Sequence, residues 1–259
     1  MYAKKATLDE SFVKCLVWGI QGSGKTRFAL SAPAPLVLDF EGSSRLYAGE
    51  FNFFIAEPQT GNQQVGDPVG LTREIVRELI QGEYADRRTL VIDPVTDLLD
   101  TVEQQIVGKY EAAIGKQVIE LNAIQKTKWY AFRRTHIRLL LDALKNLPMD
   151  LILVARAKEL WDGGKPTGRF APDVNPVVPY LMDVVIELRK TKQNQYEANV
   201  QKSRLGNLPD VLPVKDYSSI TEALNALKAL EQPEPEPKPE PKPEPERTPA
   251  AINPDTPFA

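Results

Sequence analysis

A glycine-rich stretch near the amino terminus constrains the fold of this chain more than any other feature. Residues 19–26 read GIQGSGKT and fit the pattern G-x-x-x-x-G-K-[ST], whose backbone N–H groups surround a polyphosphate. Residues 12–18 form an apolar run typical of a buried strand, and residues 25–31 predict a helix. A strand, a glycine-rich turn and a helix in this order predict an α/β fold with an anion site at the turn.

This phosphate-binding loop, or P-loop, predicts ATP and Mg²⁺ as ligands. The ammonium group of Lys25 is expected to reach the β- and γ-phosphates, and the hydroxyl of Thr26 to coordinate Mg²⁺. A glycine-rich turn without a ligand is the alternative interpretation. The residues expected to bind the nucleotide are Gly19, Gln21, Gly22, Ser23, Gly24, Lys25, Thr26 and Arg27.

Strands and helices are predicted to alternate through the first 230 residues. Alternation of this kind predicts an α/β fold with a mainly parallel sheet and helices on both faces. A polar turn at 191–195 makes the last two strands an antiparallel hairpin. The predicted strands are 12–18, 36–39, 52–56, 88–93, 150–155, 184–190 and 196–202, and the predicted helices are 25–31, 69–81, 96–113, 118–146, 176–182 and 218–230.

The end of the chain differs in composition from the rest. From residue 231 on there are seven acidic and three basic residues, and residues 233–245 read PEPEPKPEPKPEP. Proline at every second position is incompatible with a helix or an interior strand, so we predict a domain over 1–230 and a disordered tail over 231–259. Without this tail the net charge is +1, so that any nucleic-acid surface must be a local patch.

Two acidic positions complete the predicted ATPase site. The apolar run TLVID ends in Asp93, whose carboxylate is expected to hold the Mg²⁺ shell, with a simple helix cap as the alternative. Pro94 follows, so the group that activates water must come from elsewhere. Glu41, in the run LVLDFEG, follows the strand after the P-loop helix and is the candidate general base. Asp39 is the alternative carboxylate.

The order of these motifs resembles that of the RecA/RadA-like recombination ATPases, and most of all that of their compact phage-encoded members. In that family the glutamate after the second strand activates water, which implies this role for Glu41. The run QKSRLG resembles the family motif Lys-Asn-Arg-Phe-Gly, which implies that Lys202 and Arg204 stabilise γ-phosphate charge in a neighbouring subunit. Arg156 and Lys158 follow a strand where the family senses the γ-phosphate. The resemblance therefore implies a RecA-like core and a homo-oligomer with ATP at subunit interfaces.

The same resemblance implies single-stranded DNA as a partner. In the family, DNA passes through segments that correspond here to 107–128 and 160–178. The second segment combines glycines with basic residues for phosphates and aromatic residues for stacked bases, namely Trp161, Lys165, Arg169 and Phe170. An ordinary hairpin with a Gly-Gly turn is the alternative.

These patterns together predict an ATP-hydrolysing recombination or annealing protein that acts on single-stranded DNA. The alternatives are a P-loop kinase, for which we find no arginine-rich lid, and an adaptor that does not hydrolyse ATP. The chain lacks a signal-peptide pattern and a run long enough to span a bilayer, so we expect a cytoplasmic protein without a membrane partner. The last residues, NPDTPFA, resemble the tips of bacterial single-stranded-DNA-binding proteins, which makes such a protein a further candidate partner.

Overall fold

Strands and helices alternate along the part of the chain that the structure describes. This computed structural model describes residues 11–58, 67–191, 196–206, 208–212 and 216–231, so the predicted tail lies outside it except for Glu231, which ends the last helix. The strands are β1 (Lys14–Gly19), β2 (Pro35–Asp39), β3 (Phe54–Ala56), β4 (Thr89–Asp93), β5 (Asp150–Asp162), β6 (Lys165–Pro172), β7 (Val184–Lys190), β8 (Tyr196–Ser203) and β9 (Val211–Leu212). The helices are α1 (Lys25–Leu30), α2 (Pro68–Ile80), α3 (Val95–Ile114), α4 (Ala123–Lys145), α5 (Val177–Leu181) and α6 (Ser218–Glu231), with short 3-10 helices at Ser44–Tyr47 and Val118–Glu120.

The described strands form one sheet in the order β3-β2-β4-β5-β1-β7-β8-β9, and β6 pairs with β5 outside this order. Along this order, neighbouring strands from β3 to β7 pair in parallel. The pairs β7–β8, β8–β9 and β5–β6 are antiparallel. The predicted fold class is therefore confirmed: an α/β fold with a mainly parallel sheet and a late antiparallel hairpin. The strand that leads into the P-loop, β1, lies at the centre, between β5 and β7.

Apolar side chains cover the sheet on both faces, as expected for parallel strands that read as continuous hydrophobic runs. Leu16 and Trp18 of β1 belong to one buried cluster with residues of α2, α3 and α4. Cys15 and Val17 point to the other face and belong to a second cluster with residues of α1 and α6. Within the described residues, no helix is both long enough and apolar enough to cross a membrane.

The predicted helix at 118–146 is divided in the structure. A 3-10 turn ends at Glu120, and α4 begins after Asn122. The Asn122 side chain accepts a hydrogen bond from the Gln125 backbone N–H at 2.9 Å, and the Gln125 side chain accepts one from the Asn122 N–H at 3.1 Å. This reciprocal capping box starts a new helix and accounts for the break.

The predicted strand at 150–155 is longer than expected. It continues as β5 to Asp162, turns at Gly163 and Gly164, and pairs antiparallel with β6. These residues therefore form a hairpin with a Gly-Gly turn, and whether it contacts DNA stays a prediction. We call residues 157–172 the β5–β6 arm.

Candidate active site

The glycine-rich loop connects β1 to α1 at the carboxyl edge of the parallel strands. Gly24 precedes α1 with a φ of 88°, a left-handed conformation that glycine adopts without strain. Gly19 is restricted by space, because a Cβ at this position would lie 2.3 Å from the Leu188 carbonyl oxygen and 2.6 Å from the Ser23 hydroxyl. Glycine is therefore required at both positions, and these are the first and last glycines of the motif.

Lys25 lines a ligand-sized space beside the loop, whereas Ser23 does not. The Lys25 ammonium donates to the Ile20 carbonyl at 2.9 Å, and partial burial lowers the pKa of Lys25 from its ordinary value. The hydroxyl of Ser23 is buried and has no hydrogen-bond partner among the described residues, which is uncommon in a folded protein. Nucleotide contact by Ser23 stays a prediction.

Asp93 and Thr26 meet at the floor of this space. The Thr26 hydroxyl donates to Asp93 Oδ2 at 2.7 Å, and the Asp93 side chain is buried. Burial raises the pKa of Asp93 to about 6; the Thr26 hydrogen bond opposes this shift, and the nearby charges of Glu41 and Asp39 add to it. The two oxygens and their surplus of negative charge fit Mg²⁺, which takes one or two protein ligands and completes its shell with phosphates and water. Among the described residues there is no group of three or more His, Cys, Asp or Glu side chains that could hold a metal ion.

The two carboxylates that follow β2 have different surroundings. Asp39 is buried, and its oxygens accept the backbone N–H groups of Glu41 at 3.0 Å, Gly42 at 2.8 Å and Ser44 at 2.7 Å. Asp39 therefore holds the loop in shape. Glu41 lines the cleft with its side chain 40% exposed, where its carboxylate can meet a water molecule. Of the two alternatives, the geometry favours Glu41 as the general base.

Arg156 connects Glu41 to the start of α3. Its Nη2 donates to Glu41 Oε1 at 2.7 Å and to Asp97 Oδ2 at 2.9 Å, and its Nε donates to Glu41 Oε1 at 3.1 Å. Lys158, the other candidate for γ-phosphate sensing, forms an ion pair with Asp173 at 3.2 Å and does not line the cleft. The geometry therefore favours Arg156 over Lys158 for this role.

These groups surround one cleft of about 430 Å³. It brings together most of the residues predicted to bind nucleotide, Mg²⁺ or water, namely Gly19, Gln21, Gly22, Gly24, Lys25, Thr26, Glu41 and Asp93. Tyr47 also lines it, from the 3-10 helix that follows β2, and sequence analysis missed this residue. In the sequence, Tyr47 is only an aromatic residue shortly after Glu41 and belongs to no motif that would indicate a role at the cleft.

Arg27, predicted to bind nucleotide, is not brought into this cleft. Its guanidinium forms an ion pair with Glu50 and lies 5.9 Å from the centre of the Phe51 ring. Both contacts turn the side chain away from the P-loop glycines, so nucleotide contact by Arg27 stays a prediction.

Lys202 and Arg204 lie at the opposite, amino-terminal edge of the parallel strands, because β8 runs antiparallel to β7 and Ser203 pairs with Val184. The Lys202 ammonium donates to three backbone carbonyls at the end of α5, those of residues 179, 180 and 182, at 3.1, 2.8 and 2.5 Å. Arg204 donates to Asp183 Oδ1 at 2.9 Å. These contacts occupy both side chains within their own chain. They argue against the role of stabilising γ-phosphate charge in a neighbouring subunit, which stays a prediction.

The residues predicted to contact DNA lie on the β5–β6 arm. Trp161 and Phe170 are 64% and 44% exposed, and Lys165 and Arg169 are exposed as well. The arm begins beside the cleft, since Ala157 lines it. At the base of the arm, the Asp173 N–H donates to the Arg156 carbonyl at 2.7 Å.

One comparison with known proteins supports the interpretation of the cleft. A protein-family model described as an AAA domain matches residues 11–207, which include every strand from β1 to β8. Comparison with curated proteins gives no match. The family match confirms the prediction of a P-loop ATPase domain and leaves the more specific resemblance to recombination ATPases as a prediction.

Proposed function

Because this chain belongs to the AAA domain family of P-loop ATPases, we propose that it hydrolyses ATP as a recombination or annealing protein acting on single-stranded DNA. One observation carries the proposal: a phosphate loop, a buried metal-binding pair and an exposed carboxylate converge on a single cleft. The groups are Lys25, Thr26, Asp93 and Glu41. Each has the chemistry that one part of phosphoryl transfer to water requires.

The P-loop binds and orients the triphosphate. Its backbone N–H groups and the α1 N-terminus face the β-phosphate, and Lys25 exchanges the Ile20 carbonyl for β- and γ-phosphate oxygens. Thr26 and Asp93 would hold Mg²⁺, which when bound neutralises charge on the same oxygens. Asp93 must be ionised for this task, and its pKa of about 6 leaves it mostly ionised at neutral pH.

Glu41 activates the attacking water. The carboxylate accepts a proton from water as the water oxygen bonds to the γ-phosphorus, and the bond from that phosphorus to the bridging oxygen breaks. The products are ADP and phosphate. Arg156, which holds Glu41 through one oxygen, is placed to release it and to bind γ-phosphate oxygens when ATP enters. Glu41 is then free to act on water only while a triphosphate is present.

The proposed DNA partner rests on the β5–β6 arm and on the resemblance to recombination ATPases. Exposed Trp161 and Phe170 offer flat rings for unpaired bases, and Lys165 and Arg169 offer charge for the backbone. Since the arm starts directly after Arg156, DNA bound there would lie on the strand that carries a residue of the cleft and could influence hydrolysis through it. A homo-oligomer with ATP between subunits is the assembly that the resemblance favours.

Phosphate release with ATP and Mg²⁺ tests the proposal. We expect free phosphate from the wild-type protein, a higher rate with single-stranded DNA, and no release by Lys25→Ala. Transfer of the γ-phosphate to an added nucleoside, without free phosphate, would instead support a kinase. ATP binding without turnover under every condition would support the adaptor.

A further inference from the structure

Helix α4 carries a concentration of positive charge that the proposed catalytic cycle does not use. Its 23 residues include six Lys and Arg and a single Asp, a net charge of +5 in a chain whose total is −3. The antiparallel neighbour α3 is acidic by comparison, with four Asp and Glu and one Lys. Positive charge is therefore concentrated on one element of this protein.

One side of α4 is fixed against α3. Arg133 donates to Glu103 of α3 at 2.6 Å, and the rings of Trp129 and Phe132 lie 5.1 and 5.3 Å from that of Tyr110. These contacts orient the helix and turn its opposite side to solvent. The basic side chains on the solvent-facing side of α4 are therefore attached to a helix whose orientation is fixed.

The solvent side carries a row of residues four positions apart, Lys126, Tyr130, Arg134 and Arg138, which we call the α4 stripe. All four are exposed, and the tyrosine ring is 59% exposed. The Arg138 side chain has one partner, Asp142, at 3.5 Å, whereas no hydrogen bond or ion pair to a described residue engages the side chains of the other three. A helix rises 1.5 Å per residue, so successive members are about 6 Å apart along its axis.

We propose that the α4 stripe is a second binding surface for single-stranded DNA, on an element separate from the β5–β6 arm. Lys126, Arg134 and Arg138 bind phosphates along one strand, and Tyr130 stacks on a base between the phosphates that Lys126 and Arg134 hold. The assignment rests on the match between the α4 stripe and single-stranded DNA, which offers both a row of negative charges and unpaired aromatic bases. An acidic peptide offers only the charges and would leave the exposed tyrosine ring unused. The inference rests on the proposed function, which supplies single-stranded DNA as the partner.

Titration of the full chain with fluorescently labelled oligothymidylate over a range of salt concentrations tests the stripe. For Lys126→Ala/Arg134→Ala we expect weaker binding and a salt slope reduced by about 1.4, since each lost phosphate contact on a single strand removes about 0.7. Tyr130→Ala should weaken binding about tenfold with little change in slope, and Tyr130→Phe should retain wild-type affinity because its ring still stacks.

The matched control is Arg73→Ala/Arg88→Ala, which removes the same charge from exposed positions on α2 and just before β4. All variants should melt at the wild-type temperature and retain DNA-independent phosphate release, because the residues are exposed and lie outside the cleft. Equal losses in the stripe and control variants would overturn the stripe as a site, as would unchanged binding by all stripe variants. If the wild-type chain binds no single-stranded DNA, the DNA component of the proposed function fails as well.

Discussion

Asp93 and Glu41 are two carboxylates of one cleft whose surroundings assign them different tasks. Asp93 is buried against the Thr26 hydroxyl, where it suits a metal ion that restores its lost solvation. Glu41 is partly exposed and held by Arg156, where it can reach water. In the proposed function the same functional group would therefore serve as ligand in one place and as base in the other, according to its burial and partners.

The raised pKa of Asp93 predicts a pH dependence of stability in the absence of Mg²⁺ and nucleotide. Because the pKa rises from 3.8 to about 6 on folding, the folded state binds this proton more tightly than the unfolded state. The resulting stability is fully present below the unfolded pKa and is lost as pH rises through 6. Asp93→Asn, which cannot ionise, should therefore gain stability over wild type as pH rises.

Urea unfolding of both proteins measures this gain. The difference in unfolding free energy should grow by roughly 1 to 2 kcal/mol between pH 5 and pH 8 in favour of Asp93→Asn. A difference that stays constant across this range would contradict the assigned pKa.

The β5–β6 arm is the element to which we assign the first DNA contact. Trp161→Ala and Phe170→Ala should each weaken binding of single-stranded DNA by about 1–3 kcal/mol, the usual contribution of one stacked base. Both side chains are exposed, so the melting temperature should not change. Binding isotherms with oligothymidylate measure the effect, and Val211→Ala, another exposed apolar residue, is the control. Unchanged affinity in both aromatic variants would remove the arm from the DNA site.

Strand β8 and helix α5 are connected through Lys202. Because its ammonium donates to three carbonyls at the end of α5, Lys202→Met should lower stability by about 1–3 kcal/mol through the acceptors left without a donor. DNA-independent ATP turnover should remain close to wild type at temperatures where the variant is folded. Thermal melts and phosphate release measured together distinguish this structural role from a role in catalysis. Lost turnover at unchanged stability would support the stabilisation of γ-phosphate charge in a neighbouring subunit instead.

Across the whole molecule, the parts of the cleft that could be predicted from the sequence are those that lie in short sequence motifs. The P-loop and Asp93 lie in local patterns whose spacing is fixed by phosphate geometry, so their convergence was predictable. The partners of Arg156 were not, because Glu41, after β2, and Asp97, at the start of α3, are brought to it only by the folded sheet. The position of Lys202 was not predictable either, because pairing with β7 places it at the amino-terminal edge of the parallel strands, away from the cleft of its own chain.

The fold itself was largely predictable because buried parallel strands read as apolar runs. The elements that were missed depend on local details of capping and pairing. Asn122 divides a long helical pattern by capping α4, and the polar, glycine-containing residues of β6 form a strand only because β5 extends to meet them. Neither outcome follows from hydrophobic periodicity, which was the main signal available.

Phosphate release by Glu41→Gln tests whether Glu41 activates water in a cleft that binds Mg²⁺ and ATP. The amide keeps the shape and removes the base, so turnover at saturating ATP should fall roughly 10²- to 10⁴-fold. ATP affinity measured by calorimetry on the same sample should stay within about tenfold of wild type, because Lys25 and the loop are intact. Turnover within about threefold of wild type, with ATP bound normally, would contradict the account.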